Sequence, residues 1–144
     1  MSAPACVRVG MDLVSVDDVA ASVAHFGDRY VTRIYTSHEI ATCRERGAGR
    51  AGGNALAVES LAARFAAKEA VMKVLRPADV QVDWRSIEVH RMIGGWCELR
   101  LSGQAEAMAD EAGIDGFAVS LSHEAAVAAA VVVGWSTRED RGDE

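Results

Sequence analysis

The sequence predicts an α+β domain in which helices pack on one side of an antiparallel sheet. Three observations indicate this class: a strictly alternating apolar pattern near the N-terminus, a long alanine-rich stretch without glycine or proline, and two consecutive strand-like segments near the C-terminus. With 144 residues, half of them apolar, the chain can bury one ordinary core. We therefore expect one domain over residues 1–135 and a charged, disordered tail over 136–144.

The first element is a strand, because apolar residues occupy alternate positions from Val7 to Leu13. Asp12 points away from that apolar face. Ser15 is followed three residues later by Asp18, a pattern that resembles a capping box and predicts a helix over 16–26. Asp12 therefore lies near a strand-to-helix junction, where proteins commonly bind ligands, although without a partner it would be an ordinary surface carboxylate.

Two further helices are predicted over 37–44 and 55–75, the second from its composition and its apolar face. The longer helix contains both lysines of the chain, Lys68 and Lys73, although the chain as a whole has thirteen arginines. Glu69 and Lys73 are four residues apart and share a face of this helix. A surface ion pair worth a few tenths of a kcal/mol and a functional carboxylate–ammonium pair both fit that spacing.

The second half of the chain predicts strands, with one helix among them. Strands are expected over 87–91 and 97–101, and an alanine- and glutamate-rich helix over 103–112. An alternating strand follows over 119–124, and the almost wholly apolar segment 125–133 is typical of a buried strand.

Charge and cysteine usage exclude several classes of protein. A net charge of −6 argues against general nucleic-acid binding, and the apolar runs are too short or too interrupted by charge to span a membrane. Cys6, Cys43 and Cys97 form no CxxC pair, and no signal pattern opens the chain, so we expect a reduced cytoplasm, no zinc site and three buried thiols.

Four segments resemble, in the same order, the motifs of the holo-acyl-carrier-protein synthase family, the short type of 4′-phosphopantetheinyl transferase. They are Gly10–Val14, Arg33–Glu39, Arg64–Lys73 and Ser120–Glu124. The ten-residue Arg-Phe-Ala-Ala-Lys-Glu-Ala-Val-Met-Lys segment is the most specific of them. The resemblance covers nearly the whole chain and implies the 4′-phosphopantetheinyl transferase fold, an antiparallel sheet with a long helix packed against it.

The resemblance implies transfer of the phosphopantetheine arm of coenzyme A to a serine of an acyl carrier protein, with release of adenosine 3′,5′-bisphosphate. In the family, Asp12 and Glu69 match the residues that bind Mg²⁺, and Lys73 matches the lysine that contacts the pyrophosphate. These three are the expected catalytic residues. The general base stays open between a metal-bound water and one of the carboxylates.

Other matched residues are expected to hold coenzyme A phosphates: Arg64, Lys68 and His123. Arg64 could equally be a structural fork that ties helix to strand. The segment 44–53, rich in glycine and arginine, could fold over the nucleotide 3′-phosphate or be an ordinary linker.

The resemblance also implies a homotrimer with coenzyme A between neighbouring subunits, and a carrier protein or carrier domain as the partner. Three places depart from the family pattern: Asp18, where a basic residue is usual; Cys97, where a proline is usual; and segment 76–78 after the long helix, where a glycine is common. An acidic carrier would be repelled by Asp18 unless Arg29, Arg33 or another surface compensates. Two alternatives are a non-catalytic coenzyme A-binding subunit and a Mg²⁺-dependent hydrolase of nucleotide pyrophosphates.

Overall fold

The computed structural model describes residues 6–48 and 55–137. The strands are β1 (Cys6–Ser15), β2 (Ile87–Arg91), β3 (Cys97–Leu101), β4 (Gly116–Glu124) and β5 (Val127–Ser136). The helices are α1 (Val16–Phe26), α2 (Asp28–Ile34), α3 (Ser37–Gly47), α4 (Val58–Leu75) and α5 (Gly103–Ala112).

The strands form two antiparallel sheets, one with the order β1-β5-β4 and one made of β2 and β3. In the larger sheet Asp12 is paired with Ala130, and Ala130 with Leu121, so β5 separates β1 from β4. The long helix α4 packs across the inner face of this sheet. The predicted α+β class, with an antiparallel sheet covered by a long helix, is confirmed.

Local sequence signals account for the helix starts. The Ser15 hydroxyl accepts a hydrogen bond from the Asp18 N–H at 3.2 Å and caps α1. A reciprocal capping box formed by Thr36 and Glu39 opens α3. Helix α2 was not predicted: Gly27, with φ of +56°, ends α1, and the chain re-enters a helix at the next residue.

Helix α4 is buried on nearly every side rather than along one apolar stripe. Ala66, Ala67 and Ala70 are fully buried and let the sheet come close. A Cβ atom at Gly10 would lie 2.1 Å from the Ala70 carbonyl oxygen, so only glycine fits there. Strand β1 therefore lies directly on the helix, with its small and polar side facing α4.

The apolar side of β1 is the exposed side in a single chain, which reverses the usual orientation of an alternating strand. Exposed fractions are 53% for Val7, 61% for Val9, 51% for Met11 and 60% for Leu13. The prediction that segment 125–133 is a buried strand is correct for one side of β5 and wrong for the outer side, where Val131 is 39% exposed. Only the inner side of β5 is buried. The sheet thus presents a continuous apolar outer face.

The predictions about the cysteines and the C-terminal segment also differ in part from the structure. Of the three cysteines only Cys43 is buried, and burial raises the pKa of its thiol to about 11; Cys6 is exposed. Of the tail predicted for 136–144, Ser136 ends β5 and the Thr137 N–H donates to Asp115, while 138–144 lie outside the described residues. In the described part of the chain, no helix has the length and apolarity that crossing a membrane requires.

Candidate active site

Three of the predicted catalytic residues come together where β1 meets α4. The Lys73 ammonium donates to the Asp12 carboxylate at 3.2 Å and to the Met11 carbonyl oxygen at 2.7 Å. Glu69 lies one helical turn before Lys73, and its carboxyl group lies close enough to Asp12 for the two to influence each other. We call Asp12, Glu69 and Lys73 the carboxylate–lysine cluster.

The electrostatics of the cluster favour the binding of positive charge. Burial and the neighbouring Asp12 carboxylate raise the pKa of the Glu69 carboxyl to about 7, while Lys73 opposes them. Asp12 Oδ2 is buried and has no hydrogen-bond partner. Asp12 and Glu69 therefore share the single positive charge of Lys73, and a further cation would stabilise both carboxylates.

This donor set fits Mg²⁺. The ion takes oxygen ligands, commonly one or two carboxylates completed by phosphate oxygens and water. Within the described ranges, no cluster of three or more His, Cys, Asp or Glu side chains could hold a metal, so a cage made wholly of protein groups is not formed there. Asp12 and Glu69 are the residues that could hold the ion, with the unpaired Asp12 Oδ2 available to it.

Lys68 lies elsewhere, although it directly precedes Glu69. Its ammonium is fully buried and donates to Glu39 Oε1 at 2.7 Å and to the carbonyl oxygens of Trp84 and Ile87. Burial lowers the pKa of Lys68, and Glu39 opposes that shift. The expected contact between Lys68 and coenzyme A phosphates has no support in this placement, because all three donors already have internal acceptors.

Arg64 and His123 also lie apart from the cluster, in a cavity of about 290 Å³ between α4, β4 and the β2–β3 hairpin. Besides these two, the side chains that give the cavity its chemical character are Arg46, Arg91 and Trp96. Arg64 is buried, and its Nε and Nη2 atoms have no hydrogen-bond partner. We call this space the arginine cavity; unpaired buried guanidinium donors favour an anion within it.

Ser60 connects two of the arginines. Its hydroxyl accepts from Arg46 Nε at 2.9 Å, and its carbonyl oxygen accepts from Arg64 Nη1 at 3.2 Å. The structural-fork role considered for Arg64 is thus only partly supported, because one of its nitrogens bonds the helix and two remain free. Arg46 lies at the end of α3, and residues 49–54 of the glycine-rich segment are outside the described residues.

Arg91 and Trp96 were missed by sequence reasoning. Both belong to the β2–β3 hairpin, which is far from α4 in sequence. A basic residue at the end of a predicted strand and a tryptophan after two glycines were the available signals. Neither signal indicates which cavity the side chain enters, since that depends on how the hairpin packs.

The carboxylate–lysine cluster and the arginine cavity are on opposite sides of α4. Glu69 and Arg64 are five residues apart, which at 100° per residue separates their directions by about 140°. The cluster lies at the β1 edge and His123 at the β4 edge of the same sheet, two strand spacings or about 10 Å apart. In the described part of one copy, the two sets of residues therefore face different sides of α4.

A third feature lies beside the cluster: an open groove lined by Phe26, Arg29, Tyr30 and Arg33. Arg29 and Arg33 are exposed, and no ion pair joins either of them to a carboxylate of the described residues. The Glu69 charge contributes to the raised pKa of Tyr30, after burial, which indicates that the groove adjoins the cluster.

Comparison with known proteins agrees with this geometry. A family model described as the 4′-phosphopantetheinyl transferase superfamily matches residues 8–131. The chain is 39% identical over 133 residues to the holo-[acyl-carrier-protein] synthase of Herpetosiphon aurantiacus, covering 87% of this chain and 95% of the relative. It is 40% identical over 130 residues to that of Desulforudis audaxviator, covering 89% and 93%.

The chain belongs to the holo-[acyl-carrier-protein] synthase family. Among solved structures it is similar to the Chronobacterium ammoniagenes ACPS–CoA complex, with a TM-score of 0.77 and 26% identity over 92% of this chain and 99% of that one. Membership of the holo-[acyl-carrier-protein] synthase family confirms the resemblance carried by the four motifs. It also confirms the enzyme class expected from them, 4′-phosphopantetheinyl transferase.

Proposed function

We propose that the chain transfers the 4′-phosphopantetheine arm of coenzyme A to a serine hydroxyl of an acyl carrier protein in a Mg²⁺-dependent reaction. The observation that carries the proposal is the convergence of Asp12, Glu69 and Lys73, with one Asp12 oxygen left unpaired. The holo-[acyl-carrier-protein] synthases among its relatives and a coenzyme A complex of similar fold support the same substrates.

In the proposed reaction the serine oxygen attacks the phosphorus that carries the pantetheine arm. The bond from that phosphorus to the bridging oxygen breaks, and this oxygen leaves with adenosine 3′,5′-bisphosphate. Bound Mg²⁺ would draw charge from both phosphates. Asp12 and Glu69 would hold the ion, and either one of these carboxylates or a water bound by the ion would take the serine proton. The Lys73 ammonium faces the pyrophosphate and offsets charge that develops on the bridging and leaving oxygens.

The arginine cavity is the proposed site for the nucleotide end of coenzyme A. Arg64 offers two buried donors without partners, and Arg46 is held beside it by Ser60. His123 and Arg91 add further groups that can bind phosphate, while the exposed indole of Trp96 offers a flat surface for a base.

Because one copy separates the cluster from the cavity, we propose that each complete site lies between two copies in a homotrimer. The β1 edge of one copy would meet the β4 edge of the next, a head-to-tail contact that closes into a ring. The exposed outer face of β1 and β5, which includes Val9, Leu13 and Val131, would be buried in that ring. The number three itself comes from family resemblance.

Complementation between two inactive variants tests the shared site. Glu69→Ala removes the cluster and His123→Ala weakens the cavity, so each homotrimer should be impaired. When the two variants are co-expressed in equal amounts, the mixture should regain about a quarter of the activity that separates each variant from the unmodified chain. Each site between two randomly assembled neighbours receives an intact cluster with a chance of about one half and an intact cavity with the same chance. A site contained within one chain would show no recovery, and light scattering would report the trimer independently.

The groove beside the cluster is the proposed docking surface for the carrier. Asp17 and Asp18 make the first turn of α1 acidic, which disfavours an acidic carrier helix there. Arg29 and Arg33, without ion-pair partners among the described residues, provide the compensating charge next to Glu69. Reversing either charge to Glu should raise the KM for the carrier and leave nucleotide affinity unchanged.

The deciding experiment is the intact mass of several apo carrier proteins after incubation with the chain, coenzyme A and Mg²⁺. A gain of one phosphopantetheine, absent with Glu69→Ala, would establish transfer and identify the class of carrier. Coenzyme A binding without any transfer would favour the non-catalytic subunit. Cleavage of coenzyme A without a modified carrier would favour the hydrolase.

A further inference from the structure

Two histidines outside the proposed site form a tightly packed pair. His38 on α3 and His90 on β2 stack face to face, with ring centroids 3.7 Å apart and ring planes 9° apart. Neither side chain belongs to the carboxylate–lysine cluster or to the lining of the arginine cavity. The pair needs an explanation of its own, because His38 and His90 are far apart in sequence and lie on different elements.

The surroundings of His90 favour its neutral form. Arg100 Nη1 lies 3.0 Å from His90 Nε2, and since a guanidinium can only donate, this nitrogen must accept. His38 Nε2 is buried and has no hydrogen-bond partner. Burial, His38 and Arg100 lower the pKa of His90, while Glu88, at 3.6 Å, and Glu98 oppose them. The nearby carboxylates thus compensate only part of the cost of a charged ring.

The two elements that the pair joins, α3 and β2, each carry one arginine of the arginine cavity. Beside His38, the buried Glu39 carboxylate accepts from the Val89 N–H at 3.0 Å, and Val89 directly precedes His90. Arg46 lies near the end of α3, and Arg91 is the last residue of β2. If α3 and β2 separate, the two arginines separate with them.

We propose that the His38–His90 stack is an acid-sensitive latch that holds α3 against β2 and keeps the arginine cavity in its binding shape. The part of this inference that concerns the nucleotide rests on the proposed function. While His90 is neutral, its Nε2 accepts from Arg100 and the latch is closed. Because the pKa of His90 is lowered, acid below the ordinary histidine pKa of about 6.5 is needed to protonate it. That proton removes the acceptor for Arg100 and brings two cations together at the face of His38, so the latch opens.

Hydrogen exchange of the Val89 amide measures the latch without any ligand. We expect its protection factor to fall about tenfold or more between pH 7.5 and 5.5, since one pKa unit corresponds to a factor of ten. The amide of Val71, inside α4, reports global unfolding and should lose less protection. His90→Phe and His38→Phe each keep a flat ring but remove one imidazole. In both variants the protection factor of the Val89 amide should fall by less than about threefold over the same pH range.

His25→Phe is the matched control, because His25 is an exposed imidazole on α1. It should behave as the unmodified chain does. Equal losses of protection at Val89 and Val71, or an unchanged fall in both latch variants, would overturn the proposal. Titration with adenosine 3′,5′-bisphosphate at pH 7.5 and 5.5 is the second readout, and the affinity loss in acid should be smaller in His90→Phe. Absence of binding at pH 7.5 would contradict the proposed function, while the exchange result would still decide the latch.

Discussion

The two lysines of the chain, five residues apart on α4, each pair with a carboxylate, yet the two pairs differ in almost every physical respect. Lys68 and Glu39 are fully buried and 2.7 Å apart. Lys73 and Asp12 are 3.2 Å apart, and their side chains are 55% and 14% exposed. One helix therefore carries a closed ion pair and an open one.

The closed pair has no bonding capacity left for a ligand. Lys68 has three acceptors, and Glu39 accepts from Lys68, from the Thr36 N–H and from the Val89 N–H. These bonds connect α3, α4 and β2 at one point. Such a pair positions elements, and the loss of one partner leaves a charge buried and uncompensated.

The open pair leaves groups unsatisfied. Asp12 Oδ2 has no partner, the Glu69 pKa is raised, and the Lys73 ammonium is accessible. Unsatisfied charge next to solvent costs stability but can be satisfied by a substrate and an ion. A structural lysine is therefore distinguished from a functional one by the hydrogen bonds that it can still form, rather than by its charge or its motif.

Breaking the closed pair should have the largest effect. Lys68→Met leaves the Glu39 charge buried alone, and we expect a loss of about 3–5 kcal/mol in the free energy of unfolding, measured with urea. The double variant Lys68→Met/Glu39→Leu is the matched control and should recover much of that loss, because no unpaired charge remains. A single variant as stable as the unmodified chain would contradict the structural role.

Removing the open ammonium should affect turnover rather than stability. Lys73→Met is expected to lower kcat by about 10²–10³-fold, the usual result of deleting one group that stabilises developing charge. The free energy of unfolding should change by less than about 1 kcal/mol, since Lys73 is an exposed partner. Stopped-flow transfer assays and urea unfolding on the same sample distinguish the two quantities. A stability loss as large as that of Lys68→Met would remove the contrast between the pairs.

The smallest effect concerns pH in the absence of metal. The pKa of Glu69 is about 7 in the folded chain, above the ordinary glutamate value of 4.5, so the folded state holds the proton more tightly. The contribution of this group to stability is complete below about pH 4.5 and is lost as the pH rises through 7.

Thermal unfolding without and with Mg²⁺ checks the sign of this effect. The Tm of the metal-free chain should fall less with rising pH in Glu69→Gln than in the unmodified chain. Because Mg²⁺ and the proton compete for the same carboxyl, the rise in Tm on adding Mg²⁺ should be larger at pH 8 than at pH 6. A rise independent of pH would mean that the ion binds elsewhere.

Elements with strong local signals were predicted well. The strands 87–91 and 97–101 and the helix 103–112 coincide with β2, β3 and α5. The capping pattern before α1 was also confirmed at Ser15. Helix α2 was missed because its seven residues are too few for a periodic pattern, and its start depends on the conformation of Gly27.

The sequence predicted the residues of the cluster better than those of the cavity. The spacing of Glu69 and Lys73 and the family motifs predicted the residues of the cluster, and the structure brings Asp12 to them. The motifs could not distinguish Lys68 from Lys73, because both are lysines of one helix and only their neighbours differ. Sequence reasoning assigned no role to Arg91 or Trp96, because their place in the cavity depends on how the β2–β3 hairpin packs beside α4.

The sequence by itself determined the fold class, the order of most elements, the family and the residues of the carboxylate–lysine cluster, because helix and strand periodicities and contiguous motifs are local properties of the chain. Tertiary structure alone decided which lysine is buried, which side of β1 is exposed and which arginines share a cavity. These depend on close approaches such as that of Gly10 to Ala70, between residues 60 positions apart. Burial and hydrogen-bond partners are set by such long-range contacts, so the division between a structural and a functional charge appears only in the folded chain.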